Sequence, residues 1–273
     1  MKIAILQNSP GLCNRIFIWE CIHEIAKINN ATIVCNWEEV EFLDFPNTEY
    51  DPNLTGEGYI PFNSMDKNLI ANNFVLPKGY NFIATCGWGF NRHFEETHYR
   101  EKKSPKQQIK LKDNELSYKI EETVKNAIGV HIRRGDYKHS DKFILSSGIC
   151  TPDYWFINIM NQYKEKFGDI KFYISSDAEK DMLKVFYDNF DIIDCESILE
   201  RKANKFRTLT AKASCPHDGL VDLIALSKTK EIICSVSTWS MFAYQTGNKP
   251  YIWPETEDQT LSSIRYWDNV ERQ

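Results

Sequence analysis

The 273-residue chain holds no Cys-x-x-Cys pair, no His-Glu-x-x-His and no Gly-x-Gly-x-x-Gly. Those absences exclude a zinc finger, the helix of a zinc protease and the dinucleotide fingerprint of a nicotinamide enzyme. Positive charge is not in excess either: 33 Lys and Arg against 38 Asp and Glu leave a net charge of −5. No global field therefore attracts nucleic acid, and an anionic ligand has to be met by local arginines. Long apolar runs are also missing. The opening MKIAILQNSPG is apolar only from Ile3 to Leu6, too short for a secretory signal or an anchor. The sequence thus predicts a cytoplasmic protein with no integral membrane segment. Eight cysteines are scattered without pairing motifs, several inside strand-like runs (Cys35, Cys86, Cys234), and read as reduced core thiols.

What is present is ordinary globular material, 42% hydrophobic and 26% charged, enough for one large domain or two small ones. Its organising stretch is NAIGVHIRRGDY, 126–137. Ala127 to Val130 form a short apolar run that breaks into His131, Arg133, Arg134 and Asp136. Such a run reads as a buried strand whose C-terminal end opens onto a ligand, the place where open α/β sheets bind. Alternate residues of a strand share a face, so His131 and Arg133 reach one side and Arg134 the other. Arginine matches phosphate oxygens bidentately, which makes Arg133 the candidate anion clamp. An internal Arg134–Asp136 ion pair is the competing reading, and it suits Arg134 as well as ligand binding does. The embedded Arg-Gly-Asp follows a core strand too closely to serve as an exposed adhesion tip.

The elements alternate. Residues 2–6 read as a strand, Arg15 to Ile28 as a helix with Ile16, Trp19, Ile22, Ile25 and Ala26 at helical spacing, and 31–37 as a second strand. This is the opening of a Rossmann-like unit. Periodicity fades over 38–80, where four prolines punctuate a polar stretch that reads as a long functional loop. A strand over 81–90, a lysine-rich connector at 102–113 and a helix over 114–126 follow. Beyond the central motif, Thr151-Pro152-Asp153 starts a helix reaching Phe167, with Thr151 as its cap. A strand at 171–177, a helix at 181–190, a short strand at 191–194, a basic flap at 196–216, a helix at 218–229, a strand at 231–236 and a helix ending at Gly247 complete the alternation. PYIWP closes the sheet, and the tail forms a last amphipathic helix.

Three further clusters carry chemistry. Ser237, Thr238 and Ser240 lie where a strand enters a helix, so hydroxyls and free backbone N–H groups meet the positive end of a helix dipole. Simple N-capping by Ser237 or Thr238 is the alternative. Ser176 and Asp177 end another strand, at the same edge if the sheet is parallel. Asp222 lies mid-helix, where an aspartate by itself reads as an exposed helix residue. No metal-ligand cluster and no strict Asp-x-Asp is present, so an anionic ligand at this edge has to be met by arginine.

HIRRGDY resembles the first motif of the inverting fucosyltransferases, most closely the α1,2 branch. PGLCNRIF, 10–17, is similar to that family's GLGNQ-type loop, with Cys13 at a usual glycine position. CSVSTWS resembles its phosphate-binding third motif and DLIALSK its guanine-reading helix. The resemblance implies two Rossmann-like α/β domains facing a cleft, of the GT-B type, spanning 1–125 on the acceptor side and 126–252 for the GDP-sugar. A tail, 253–273, would pack back across the hinge. It implies GDP-fucose as donor, a glycan hydroxyl as acceptor, inversion at the sugar and no metal. Arg133 would be the catalytic electrophile and Asp136 the base candidate, with His131, Ser176, Asp177, Asp222, Ser237, Thr238 and Ser240 on the donor. Asn14 and Arg15 would face the cleft, although they serve equally as caps of the following helix. A same-fold transferase using another nucleotide sugar and a non-catalytic nucleotide- or glycan-binding protein remain the alternatives.

Overall fold

A computed structural model describes residues 1–6, 12–62, 69, 72–85, 110–134, 149–178, 180–193, 216–235, 237–254 and 261–262. The chain divides into two compact units, Met1–Lys112 and Asp113–Gln273. In the first, β1 (Lys2–Ile5), α1 (Leu12–Asn29) and β2 (Thr32–Cys35) form the expected β-α-β opening. With β3 (Thr48–Tyr50), β4 (Ile60–Phe62) and β5 (Phe82–Ala84) they build a five-stranded sheet of order β3-β2-β1-β5-β4. Every pairing is parallel. Ile16, Trp19, Ile22, Ile25 and Ala26 of α1 are buried, as the helical spacing requires. The stretch 38–80 is less irregular than its prolines suggest, because both edge strands fall inside it. Each is three residues long, too short for a period-2 signal, and Pro61 is tolerated because β4 is an edge.

The second unit is built on β6 (Ile128–Ile132), all five residues of which are buried. Around it run β8 (Phe172–Ser176), β9 (Glu231–Ile233) and β10 (Tyr251–Ile252) in the order β10-β9-β6-β8, again parallel. β7 (Ile149–Cys150) and β11 (Leu261–Ser262) make a separate antiparallel pair. The helices are α2 (Asn114–Val124), α3 (Asp153–Phe167), α4 (Lys184–Asn189), α5 (Pro216–Lys228) and α6 (Thr238–Gly247). Val130 and Ile132 pack with Phe156, Met160, Phe172 and Phe186 in one apolar cluster. Gly129 lets α5 sit close: a Cβ there would lie 2.6 Å from Thr229 Oγ1 and 2.8 Å from Leu226 Cδ1.

The unit boundary falls at 112/113, ahead of the 125/126 expected. The reason is α2, which buries Ile120 and Val124 and reaches α5 through a 2.9 Å Lys228–Glu121 ion pair. Thr151 does not cap α3: the N-cap is Pro152, which offers no side-chain bond, and Thr151 Oγ1 is buried without a partner among the described residues. The strand expected at 191–194 is a single bridge, Phe172 to Ile192. The second half of the strand expected over 81–90, the basic flap before α5 and the tail helix lie outside the described residues. Among the described residues, no helix is long and apolar enough to cross a membrane.

Candidate functional site

Parallel pairing fixes which residues meet. His131 is opposite Ser175, Ile132 opposite Ser176, and Val130 opposite Ile233. The ends of β6, β8 and β9 therefore place Arg133 and Arg134, Asp177, and Ser235 at one C-terminal sheet edge, where α6 begins. Open parallel sheets bind their ligands at this edge.

The edge is held by side chains bonding to main chain. Ser235 Oγ donates to the His131 carbonyl at 2.7 Å and accepts from the Arg133 N–H at 3.0 Å. Ser176 Oγ donates to the Ile132 carbonyl at 2.6 Å and accepts from the Ala178 N–H at 3.0 Å. Asp177 Oδ1 accepts from the Arg134 N–H at 2.6 Å, and its Oδ2 lies 3.2 Å from Arg133 Nε. A strand end has lost its ladder, and these short hydroxyl and carboxylate side chains replace it.

The two arginines diverge as strand alternation requires. Arg133 is 31% exposed, whereas Arg134 is 1% exposed. Arg134 donates from Nη2 to Asp153 Oδ1 at 2.5 Å and from Nη1 to the Arg133 carbonyl at 2.7 Å, with its guanidinium 5.8 Å from the Phe156 ring centre. The Arg134 guanidinium thus meets Asp153, the first-turn acid of α3. Asp136 lies outside the described residues.

His131 is buried, its Nδ1 2.6 Å from Ser240 Oγ and its ring stacked on Trp239 at 6.4 Å. Trp239 Nε1 donates to Ser175 Oγ at 3.2 Å, tying α6 to β8. Burial, reinforced by the Arg133 and Arg134 guanidiniums, pushes His131 down to about 3. Burial pushes the neighbouring Cys234 thiol up to about 12, so it is an inert core thiol. An unfolded histidine takes its proton near 6.5, while the folded one refuses it down to about 3, so stability is lost as pH falls through that window. Urea titrations should show ~2 kcal/mol lost between pH 7 and pH 5 on this account. His131→Asn should be less stable at pH 7 yet flatter over the same range by that amount. An unchanged slope in the variant would assign the acid sensitivity elsewhere, with buried His23, also pushed down by burial, the next suspect.

Ser237 is the N-cap of α6, its Oγ accepting from the Trp239 N–H at 3.2 Å, and the backbone of Thr238 is the first helical residue. The remaining first-turn N–H groups and the dipole make this end electropositive. Ser240 is fully buried and engaged with His131. Asp222, in α5, is not exposed: it is 8% accessible and accepts from Tyr173 OH at 2.8 Å. In the first unit Arg15 is buried in α1 and grips Glu39 through both Nη atoms, its guanidinium 5.6 Å from the Trp37 ring centre. Asn14 lies in the first turn of the same helix. The sequence reading missed Ser175, Ser235 and Trp239. Their positions inside ISSD and CSVSTWS were visible, but their partners, more than 60 residues away, were not. Among the described residues no group of three or more His, Cys, Asp or Glu is placed to hold a metal ion.

Comparison with known proteins places this geometry. The chain is 39% identical over 69 residues to an Escherichia coli alpha-1,2-colitosyltransferase, a match covering 25% of this chain and 23% of that relative's length. Its fold superposes on POFUT1 solved in complex with GDP (TM-score 0.51, 10% identity, 92% of this chain and 98% of that one). It also superposes on Arabidopsis thaliana FUT1 in complex with GDP (TM-score 0.50, 10% identity, 94% of this chain and 71% of that one). These likenesses identify the α/β architecture of GT-B fucosyltransferases. The model of glycosyl transferase family 11 matches residues 72–263, which include the whole Arg133 sheet edge and most of the chain. The chain belongs to glycosyl transferase family 11.

Proposed function

We propose that this protein transfers L-fucose from GDP-fucose to a glycan hydroxyl, with inversion and without a metal ion. The observation that carries the reading is Arg133, partly exposed at the C-terminal edge of a parallel sheet and adjoining the start of α6 in a family 11 chain. The second unit would hold the donor and the first unit the acceptor. Arg133 meets the diphosphate, and the first-turn N–H groups of α6, with Ser237 and Thr238, share its charge. As the sugar C1–O bond breaks, negative charge grows on the departing GDP. A guanidinium ~4 Å away contributes roughly 4 kcal/mol per charge at an effective dielectric near 20. The acceptor oxygen bonds to C1 from the opposite face, and its proton passes to a base, for which Asp136 is the candidate in the motif. Asp222 reads guanine, oriented by Tyr173, and His131 stays neutral as a hydrogen-bonding group held by Ser240. Relatives solved with GDP support the choice of nucleotide.

A second reading is favoured by the match to a colitosyltransferase. Colitose is L-fucose without its 3-hydroxyl, so phosphate-binding groups would not distinguish the two donors. Calorimetry should give GDP at least ~10-fold tighter binding than UDP or ADP, ~1.4 kcal/mol. Turnover should release GDP, persist in excess EDTA, and run faster with GDP-fucose than with GDP-colitose or GDP-mannose. Equal affinity for UDP removes the guanine assignment, and faster GDP-colitose turnover moves the protein to the second reading. Binding with no GDP released marks a non-catalytic relative, while EDTA inactivation reversed by manganese removes the arginine-only account.

A further inference from the structure

The carboxylate of Asp177 is spent on the two residues that follow β6. Oδ1 takes the Arg134 N–H at 2.6 Å and Oδ2 lies 3.2 Å from Arg133 Nε. From the other flank, Ser235 takes the Arg133 N–H at 3.0 Å. Arg133 is therefore gripped on its main chain from β9 and on its side chain from β8. Nε is the guanidinium nitrogen nearest the stem, so a carboxylate there fixes the plane of the whole fork. Holding a long, rotamer-rich side chain in place before ligand arrives removes an ordering cost from binding.

We infer that Asp177 is a positioning residue for Arg133, orienting the guanidinium toward the donor's phosphates instead of contacting the nucleoside itself. This rests on the reading of Arg133 as the phosphate-binding group. Two effects of the Asp177 charge have opposite signs. As a nearby anion it repels diphosphate, so its removal by charge alone would tighten GDP binding. As an orienting group, its removal loosens GDP binding.

The test is Asp177→Asn, which keeps one oxygen for the Arg134 N–H but turns an amide N–H toward Arg133 Nε–H, donor against donor. Affinities for GDP and for guanosine are measured by calorimetry in wild-type and Arg133→Ala backgrounds, beside melting temperatures. GDP should bind ~10-fold more weakly with guanosine unchanged, and the substitution should cost nothing further once Arg133 is alanine. Arg133→Lys, which leaves Asp177 and its bond to Arg134 in place but removes Nε–H, is the second variant. It should weaken GDP binding and spare guanosine in the same way. Tighter GDP binding in Asp177→Asn, an equal loss for guanosine, or a loss that adds to that of Arg133→Ala overturns the positioning role. Normal GDP binding by Arg133→Ala itself removes the phosphate-clamp reading beneath it. A weak Arg133→Ala beside a normal Asp177→Asn removes the positioning role alone.

Discussion

Arg133→Ala should remain folded and lose at least about a hundredfold in kcat/KM for transfer from GDP-fucose, ~2.7 kcal/mol of transition-state stabilisation. The fold survives because Arg133 is 31% exposed and lies outside the apolar cluster that β6 organises. Its partner Asp177, 22% exposed, can be rehydrated when the guanidinium goes. In the proposed transfer the charge that matters appears on the leaving GDP, so the interaction with Arg133 would be stronger in the transition state than in the ground state and its loss would fall on catalysis. Arg133→Lys should recover only part of it, since an ammonium keeps the charge and loses the bidentate fork. Steady-state kinetics with a melting curve on the same preparation decide the matter. A stable Arg133→Ala enzyme with near-normal turnover would move the clamp to the start of α6 and leave HIRRGDY a structural strand end.

Much of this site was legible because its signals are local. A buried parallel strand reads as a short apolar run, and Ala127–Val130 is one, so the polar burst that follows it marks the sheet edge, with His131 still inside the buried strand. Strand alternation then separated Arg133 from Arg134 without any knowledge of their neighbours. The same logic placed Ser176 and Asp177, because a parallel sheet brings all its strand ends to one side. What stayed hidden was pairing across the chain. Nothing in TPD distinguishes an aspartate favouring a helix dipole from one that takes a buried arginine 19 residues away, and Asp153 does the latter. Arg15 looked like a loop or capping residue because Glu39, its bidentate partner, is 24 residues distant in a stretch without periodicity. Asp222 could have faced solvent by its sequence, which does not show that Tyr173, in β8 and 49 residues away, donates to its carboxylate. The three-residue edge strands β3 and β4 were invisible for a different reason: they are shorter than the window in which alternation can be counted.

Arg134→Ala should fail in the opposite way from Arg133→Ala, through stability. Its guanidinium is 1% exposed, sits by the Phe156 ring and donates to both Asp153 and the Arg133 carbonyl. Truncation would open a cavity beside Phe156 and take a donor from a main-chain oxygen at the end of β6. It would also leave the α3 carboxylate without its cation. Removing one partner of a buried pair costs ~3–5 kcal/mol, and the 30% exposure of Asp153, which lets water take up part of the loss, puts this case near 3. For a protein of this size, that is a fall in melting temperature of roughly 6–12 °C. Arg134→Lys should restore less than half of it, because one ammonium cannot span Asp153 and the Arg133 carbonyl as the planar fork does. Activity measured well below the melting point should fall by no more than ~10-fold, a smaller defect than that of Arg133→Ala. A melting temperature within 2 °C of wild type, or a kinetic loss as deep as that of Arg133→Ala, would reassign Arg134 from the scaffold to the ligand.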